Sequence, residues 1–282
     1  MRMKRFRGED GEEERIPDEI VQMILSFSRV LSDQCRLRLT LVSKEWFSLV
    51  TPLIREISFY YGRRWSLKKI ERRLPNLTGL ALLGCGNNRH SSGDDALINS
   101  LTHLESLELI SYGGRAQPMT SLRNLTNLKH LLLRNIPVKS DTISVLTNLK
   151  TLGMIDTKIR DKGLSCLTNL TLLNTSKEWQ YGITDECLVH LTKLETLMAG
   201  NNFSSEVLGG LTNMKKLVLY NNSNLQWDNV WAYPKLEEFS FCACFGLKEK
   251  GRGKSGNGKE WEFSEDYAIR GTRRRILPLN DK

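Results

Sequence analysis

No run of apolar residues in this sequence approaches the ~18 that a bilayer-spanning helix needs, and the opening stretch, MRMKRFRGEDGEEER, lacks the apolar core of a secretory signal. A cytosolic or nuclear protein with no membrane partner is the expectation. Histidine is scarce, and the four copies (His90, His103, His130, His190) are far apart. The six cysteines (Cys35, Cys85, Cys166, Cys187, Cys242, Cys244) are scattered, with only Cys242 and Cys244 close together. Zinc sites usually need two such pairs, or Cys with His at short spacing, so no metal and no cofactor is expected. With no export signal, reduced thiols are expected in place of a disulfide framework.

Catalytic motifs are equally short of what they need. The segment GKSGNGK, Gly253 to Lys259, has the glycine and lysine spacing of a phosphate-binding loop, but Glu260 follows where a Ser or Thr would meet magnesium. The next residues, WEF, read as strand where a helix N-terminus should hold phosphate. A cysteine nucleophile would need its own catalytic domain, and the 38 residues after Cys244 are too few for one. No enzymatic activity is expected.

Positive charge is in excess, at +9, but it collects at the ends: Arg2, Lys4, Arg5 and Arg7 open the chain, and Lys248, Lys250, Arg252, Lys254, Lys259 and Arg273 to Arg275 crowd its close. Solvated basic tails, or an import patch, account for this more simply than nucleic-acid binding.

What the sequence does contain, many times over, is one unit. LPNLTGLAL begins at Leu74, LTHLESLEL at Leu101, LTNLKHLLL at Leu125, LTNLKTLGM at Leu146, LTNLTLLNT at Leu167, LTKLETLMA at Leu191 and LTNMKKLVL at Leu211. TPLIREISF at Thr51 and YPKLEEFSF at Tyr233 are degenerate first and last copies. Successive starts differ by 23, 27, 24, 21, 21, 24, 20 and 22 residues, within the ~20–29 of leucine-rich repeats. In each L-x-x-L-x-L run the last two apolar residues are two apart, as in Leu107 and Leu109, so both point to one side of a short strand.

A second register lies six residues before each start, at Asp95, Ser140, Asp161, Asp185 and Ser205, all residue types suited to capping a helix. Ile98, Ile143, Leu164, Leu188 and Leu208 follow three residues on as apolar anchors, and Val138, Ile159, Ile183 and Phe203 precede the caps as further inward residues. Each unit is thus strand, turn and short helix, and buries its apolar face only by stacking on its neighbours. Trp261 and Phe263 fall where a last degenerate strand is due, making 246–258 a flexible Gly/Lys-rich insertion.

Ahead of the repeats, IPDEIVQMILSF predicts a helix with Pro17 at its first position and Asp18 and Glu19 in its first turn. A second helix is expected after Ser32, and a third from Ser43 to Pro52. Half the positions from Ile16 to Val50 are apolar. That surplus exceeds what so small a module hides, so part of it should pack on a partner.

KIRDKGLSCLTNL and GITDECLVHLTKL resemble the cysteine-containing class of leucine-rich repeats. IPDEIVQMILSF followed by LTLVSKEWFSLV resembles the F-box, with a short insertion near Ser28 to Val30. The order of the two modules matches F-box substrate receptors. The resemblance implies an α/β fold: a curved leucine-rich-repeat solenoid of parallel strands and short helices, preceded by a three-helix F-box module. The expected division is a charged, disordered arm at 1–15, the F-box at 16–52, the solenoid at 53–245, the insertion at 246–258, and a last strand with a basic tail at 259–282.

In that family the F-box docks on a Skp-family adaptor and through it a cullin, which assigns adaptor contacts to Ile16, Pro17, Ile20, Val21, Ile24, Leu25, Val42 and Trp46. The repeat family closes each strand with a Cys or Asn ladder; here Cys85, Asn202, Asn222 and Cys244 fit, while Tyr112, Ile136, Thr157 and Glu178 do not. A target protein, not identified by the sequence, would meet the strand residues that face away from the core: Ser106, Glu108, Ile110, His130, Leu132, Arg134, Thr151, Ile155, Leu172, Asn174, Lys216, Val218, Tyr220 and Glu238. The chain would then be a non-catalytic receptor of a ubiquitin ligase. A repeat scaffold with no ligase role and a basic nucleic-acid-associated protein stay open beside it.

Overall fold

The computed structural model describes residues 51–60, 74–84, 98–111, 121–175, 183–200, 203–231, 233–242, 244, 251–254, 260–263 and 274–276. Residues 1–50 lie outside them, and with them the expected F-box helices and all eight adaptor positions. The chain divides into two units, Met1–Ile57 with Arg72–Leu77, and Ser58–Glu71 with Thr78–Lys282.

The described part of the first unit is two repeat turns. A 3-10 turn spans Thr51–Leu53, Ile54 and Leu77 are fully buried, and the Asn76 side-chain amide donates to the Pro52 carbonyl at 2.9 Å. Thr51 therefore does open a repeat, despite its degenerate sequence.

Strand after strand then follows at repeat spacing: β1 (Glu56–Tyr60), β2 (Gly79–Leu83), β3 (Ser106–Ile110), β4 (His130–Arg134), β5 (Thr151–Ile155), β6 (Leu172–Asn174), β7 (Thr196–Ala199), β8 (Lys216–Tyr220) and β9 (Glu238–Cys242). They form one sheet in chain order, with β2 through β9 paired in parallel. Parallel strands need a crossover between them, and the crossovers carry the short helices α1 (Ser140–Ile143), α2 (Asp161–Leu164), α3 (Asp185–Leu188), α4 (Ser205–Gly210) and α5 (Trp227–Trp231). A 3-10 turn at Ser121–Asn124 takes the helix position between β3 and β4.

The core is the expected one. Leu104, Leu128, Leu149, Leu170, Leu194, Met214 and Leu236 are all fully buried, one per repeat, and so are the strand residues Leu133, Leu152, Leu173, Leu197 and Leu217. Each such leucine contributes ~1.5–3 kcal/mol by leaving water. The turn before each strand is uniform: the Leu128, Leu149, Leu170 and Leu194 N–H groups each donate to the carbonyl three residues earlier. Within it the consensus asparagine reaches back one repeat, Asn127 to Thr102, Asn148 to Thr126, Asn169 to Thr147 and Asn213 to Thr192, at 2.9–3.1 Å. This ladder spans the central repeats, where the Cys/Asn pattern at the strand ends fails.

At the strand ends the pattern holds in part. Asn222 is buried, donates to the Phe203 carbonyl and accepts from the Asn224 and Leu225 N–H groups. Ile136 is buried, and the Thr157 hydroxyl is buried without a partner. Cys85, Tyr112, Glu178 and Asn202 lie outside the described residues. One position earlier, Gly84, Asn135, Asp156 and Asn221 have φ between 52° and 80°, the left-handed region that Gly, Asn and Asp tolerate. That recurring residue choice turns the chain out of β2, β4, β5 and β8.

The helix caps differ from expectation by one residue. The caps of α1 to α4 are Lys139, Arg160, Thr184 and Ser204, while Ser140, Asp161, Asp185 and Ser205 begin the helices themselves. Asp95 lies outside the described residues. With helices this short, the first side chain bonds the following repeat better than its own turn. The Ser140 hydroxyl accepts from the Arg160 N–H, Asp161 from Thr184 and Asp185 from the Ser204 N–H, and the Ser205 hydroxyl donates to the Asn224 carbonyl.

After β9 the order changes. Glu260–Phe263, holding Trp261 and Phe263, does not join the sheet as the next repeat strand. It is β11, paired antiparallel with β10 (Gly251–Lys254) in a separate hairpin. The residues 251–254, expected in a flexible insertion, are thus strand, and Glu260 opens a strand where a phosphate loop would need a helix. The tenth strand of the sheet is β12 (Arg274–Ile276), antiparallel to β9 and drawn from the expected basic tail. Antiparallel addition needs no crossover helix, which is why no repeat motif announces it.

Candidate recognition face

Alternation along each strand sends the residues between the core leucines to the opposite face of the sheet, and the strand register assembles them into rows. One row runs Ser106, His130, Thr151, Leu172, Thr196, Lys216, Glu238. The next runs Glu108, Leu132, Gly153, Asn174, Met198, Val218, Ser240. A third places Ile110, Arg134 and Ile155 side by side. Row neighbours sit on strands ~4.8 Å apart, close enough for side-chain contact.

Of the fourteen target positions named from sequence, twelve are accessible to a partner. His130 and Arg134 are exposed; Ser106, Glu108, Ile110, Leu132, Thr151, Ile155, Leu172, Asn174, Lys216 and Glu238 are half-buried. Val218 and Tyr220 are not accessible: they are 0% and 5% exposed, covered by the chain itself. Alternation says which face a side chain takes, not what lies over that face, and covering a Val and a Tyr removes their apolar area from water. Sequence reading also passed over Leu83, Thr196 and Met198, all half-buried at the same alternating position. Applying the L-x-L-x pattern to every repeat would have found them.

The two ends of the face differ electrostatically. On β8 and β9, Lys216 Nζ lies 2.9 Å from a Glu238 carboxylate oxygen, and the Glu238 side chain is only 14% exposed. On β3 and β4, the Glu108, His130 and Arg134 side chains have no hydrogen-bond or ion-pair partner among the described residues. Between them Leu132 leans over Gly153, where a Cβ would collide with its Cδ1. Glycine there lets an apolar side chain lie flat across the neighbouring strand.

The described residues hold no group of three or more His, Cys, Asp or Glu side chains placed to bind a metal, and no helix long and apolar enough to cross a membrane. Cys187 is buried and its thiol is pushed well above the ordinary range, first by burial and then by the Asp161 carboxylate beside it. A thiol held protonated in this way is a poor nucleophile.

No protein-family model matches the chain, and no curated protein does. Among solved structures, an internalin from Listeria monocytogenes is similar at 22% identity and a TM-score of 0.50, covering 67% of this chain and 54% of its own. The chain thus spans about half the length of that internalin. Internalin C2 from the same species matches at 24% identity and a TM-score of 0.49, over 67% of this chain and 83% of its own. A leucine-rich-repeat protein from Leptospira interrogans follows at 21% and 0.46, over 58% and 43%. With the repeat register and parallel sheet, the first likeness establishes the class: this is a leucine-rich-repeat fold.

Proposed function

We propose that the chain is the target-binding subunit of a cullin-type ubiquitin ligase, holding a protein on the outward face of its repeat sheet and a Skp-family adaptor on residues 16–52. The observation that carries the first half is the accessible face from β3 to β6, where apolar side chains alternate with Glu108, His130 and Arg134. Such a mixture suits a protein surface better than a phosphate backbone, which calls for clustered cations. The second half rests on the sequence of IPDEIVQMILSF and LTLVSKEWFSLV. In this reading the chain does no chemistry: it brings a target near a charged conjugating enzyme, and the transfer belongs to other subunits.

A pull-down of purified Skp-family adaptor by the full chain is the test. Ile20→Lys with Ile24→Lys should abolish capture, because two charges would have to be desolvated against an apolar groove. Pro17→Ala should weaken it less, and circular dichroism should show the repeats folded in both variants. No capture by the unmodified chain would leave a repeat scaffold without a ligase role. Undiminished capture by the double-lysine variant would move the adaptor interface elsewhere.

A further inference from the structure

We propose that Arg134 is the anchor of the recognition face, and that the segment it holds carries a carboxylate side chain next to apolar residues. This rests on the reading of the sheet as a partner-binding face and specifies what the face selects. Arg134 is exposed, and among the described residues its guanidinium makes no hydrogen bond or ion pair. Register sets it between Ile110 on β3 and Ile155 on β5, both half-buried, with Leu132 two residues back on its own strand. The cation at the other end of the same face, Lys216, is already neutralised by Glu238 at 2.9 Å. Among the described residues the face therefore has one uncommitted guanidinium, and its row neighbours on both sides are isoleucines.

That setting favours an anion once a partner covers it. Excluding water lowers the local dielectric and strengthens a charge-assisted bond, and the planar guanidinium offers a carboxylate two parallel donors. The flanking isoleucines supply apolar contact for the residues on either side. A carboxylate fits better than a phosphate. Outward positions of β3 to β6 hold no other Lys or Arg, and Glu108 lies one row away on the adjacent strand, opposing a second negative charge. Phosphate-reading sites, by contrast, gather several arginines.

The experiment is selection of short random peptides on the immobilised full chain, with titration of the tightest synthetic peptides against the chain and its variants. Peptides with Asp or Glu beside apolar residues should be enriched. Arg134→Gln should weaken their binding by about tenfold or more, and Arg134→Glu should enrich Lys or Arg at the same place. Melting temperatures should be unchanged, since the side chain is exposed and unpaired. Ile155→Asp serves as an independent probe of the face. Peptides without acidic enrichment that are nevertheless lost with Ile155→Asp would overturn the Arg134 assignment and leave the partner-binding face standing. Peptides indifferent to Ile155→Asp would overturn both. No enriched peptide at all counts against the proposal. So does tighter binding of a phosphoserine form than of its Asp or Glu counterpart.

Discussion

The Asp161 carboxylate accepts two hydrogen bonds from a single residue of the next repeat: the Thr184 N–H reaches Oδ1 and the Thr184 hydroxyl reaches Oδ2, each at 2.8 Å. Because the hydroxyl proton is committed to Asp161, its oxygen is left to accept from the Glu186 N–H at the start of α3. One carboxylate thereby orders the cap of the following helix. Asp161→Ala should cost ~1–2 kcal/mol in urea unfolding. Thr184→Val should cost a similar amount, and the double variant should cost less than the sum. Strict additivity would mean that the two residues do not act together.

Glycine substitutions should sort by what a new Cβ meets. At Gly163 it would lie 3.0 Å from the Ser140 Cα and carbonyl oxygen, backbone atoms of the preceding repeat. Gly163→Ala should therefore push α1 and α2 apart, at ~1–3 kcal/mol. At Gly153 the obstacle is the end of the Leu132 side chain, which swings away, so Gly153→Ala should cost less while reshaping the outward face. Gly209 has nothing within 4 Å, and alanine there should be neutral or stabilising by up to ~1 kcal/mol. Thermal unfolding of the three variants checks this order.

Charge reversal should separate the two ends of the face. Lys216→Glu would set a carboxylate against Glu238, whose side chain is 14% exposed, and should destabilise by ~1–3 kcal/mol. Arg134→Glu breaks no pair and should leave the urea midpoint within error of the unmodified chain. Equal losses would show that the Lys216–Glu238 pair contributes nothing to stability.

Alkaline pH should loosen the repeats. Burial raises the folded-state values of both Cys187 and Tyr233 above their ordinary 9.0 and 10.0. The contribution of each group is complete below its ordinary value and falls as pH rises, because the unfolded chain then releases a proton that the folded chain retains. Stability should decline from near pH 9, and Cys187→Ala should flatten the first part of that decline. The Tyr233 hydroxyl donates to the Leu208 carbonyl at 2.7 Å, so Tyr233→Phe should lower stability at neutral pH while flattening the later part. Urea unfolding across this range would expose a flat profile, which would contradict both.

The residues alone determined the repeat, its length and its inward leucines. A strand has period two, and only one assignment of L-x-x-L-x-L puts every leucine out of water. They also determined which positions share the outward face, since that follows from the same alternation. What lies over the face needed the tertiary structure: nothing local distinguishes Val218 from Leu132, yet the first is covered and the second is half-open. The same holds for the partners of Ser140, Asp161 and Asp185, which lie 19–23 residues further on. A side chain that suits a helix cap suits equally well a bond to the next repeat, and only stacking decides between them. It holds most plainly for β12, where Arg274–Ile276 joins β9 without any repeat motif, because an edge strand of the sheet offers backbone hydrogen bonds to any extended segment brought within reach.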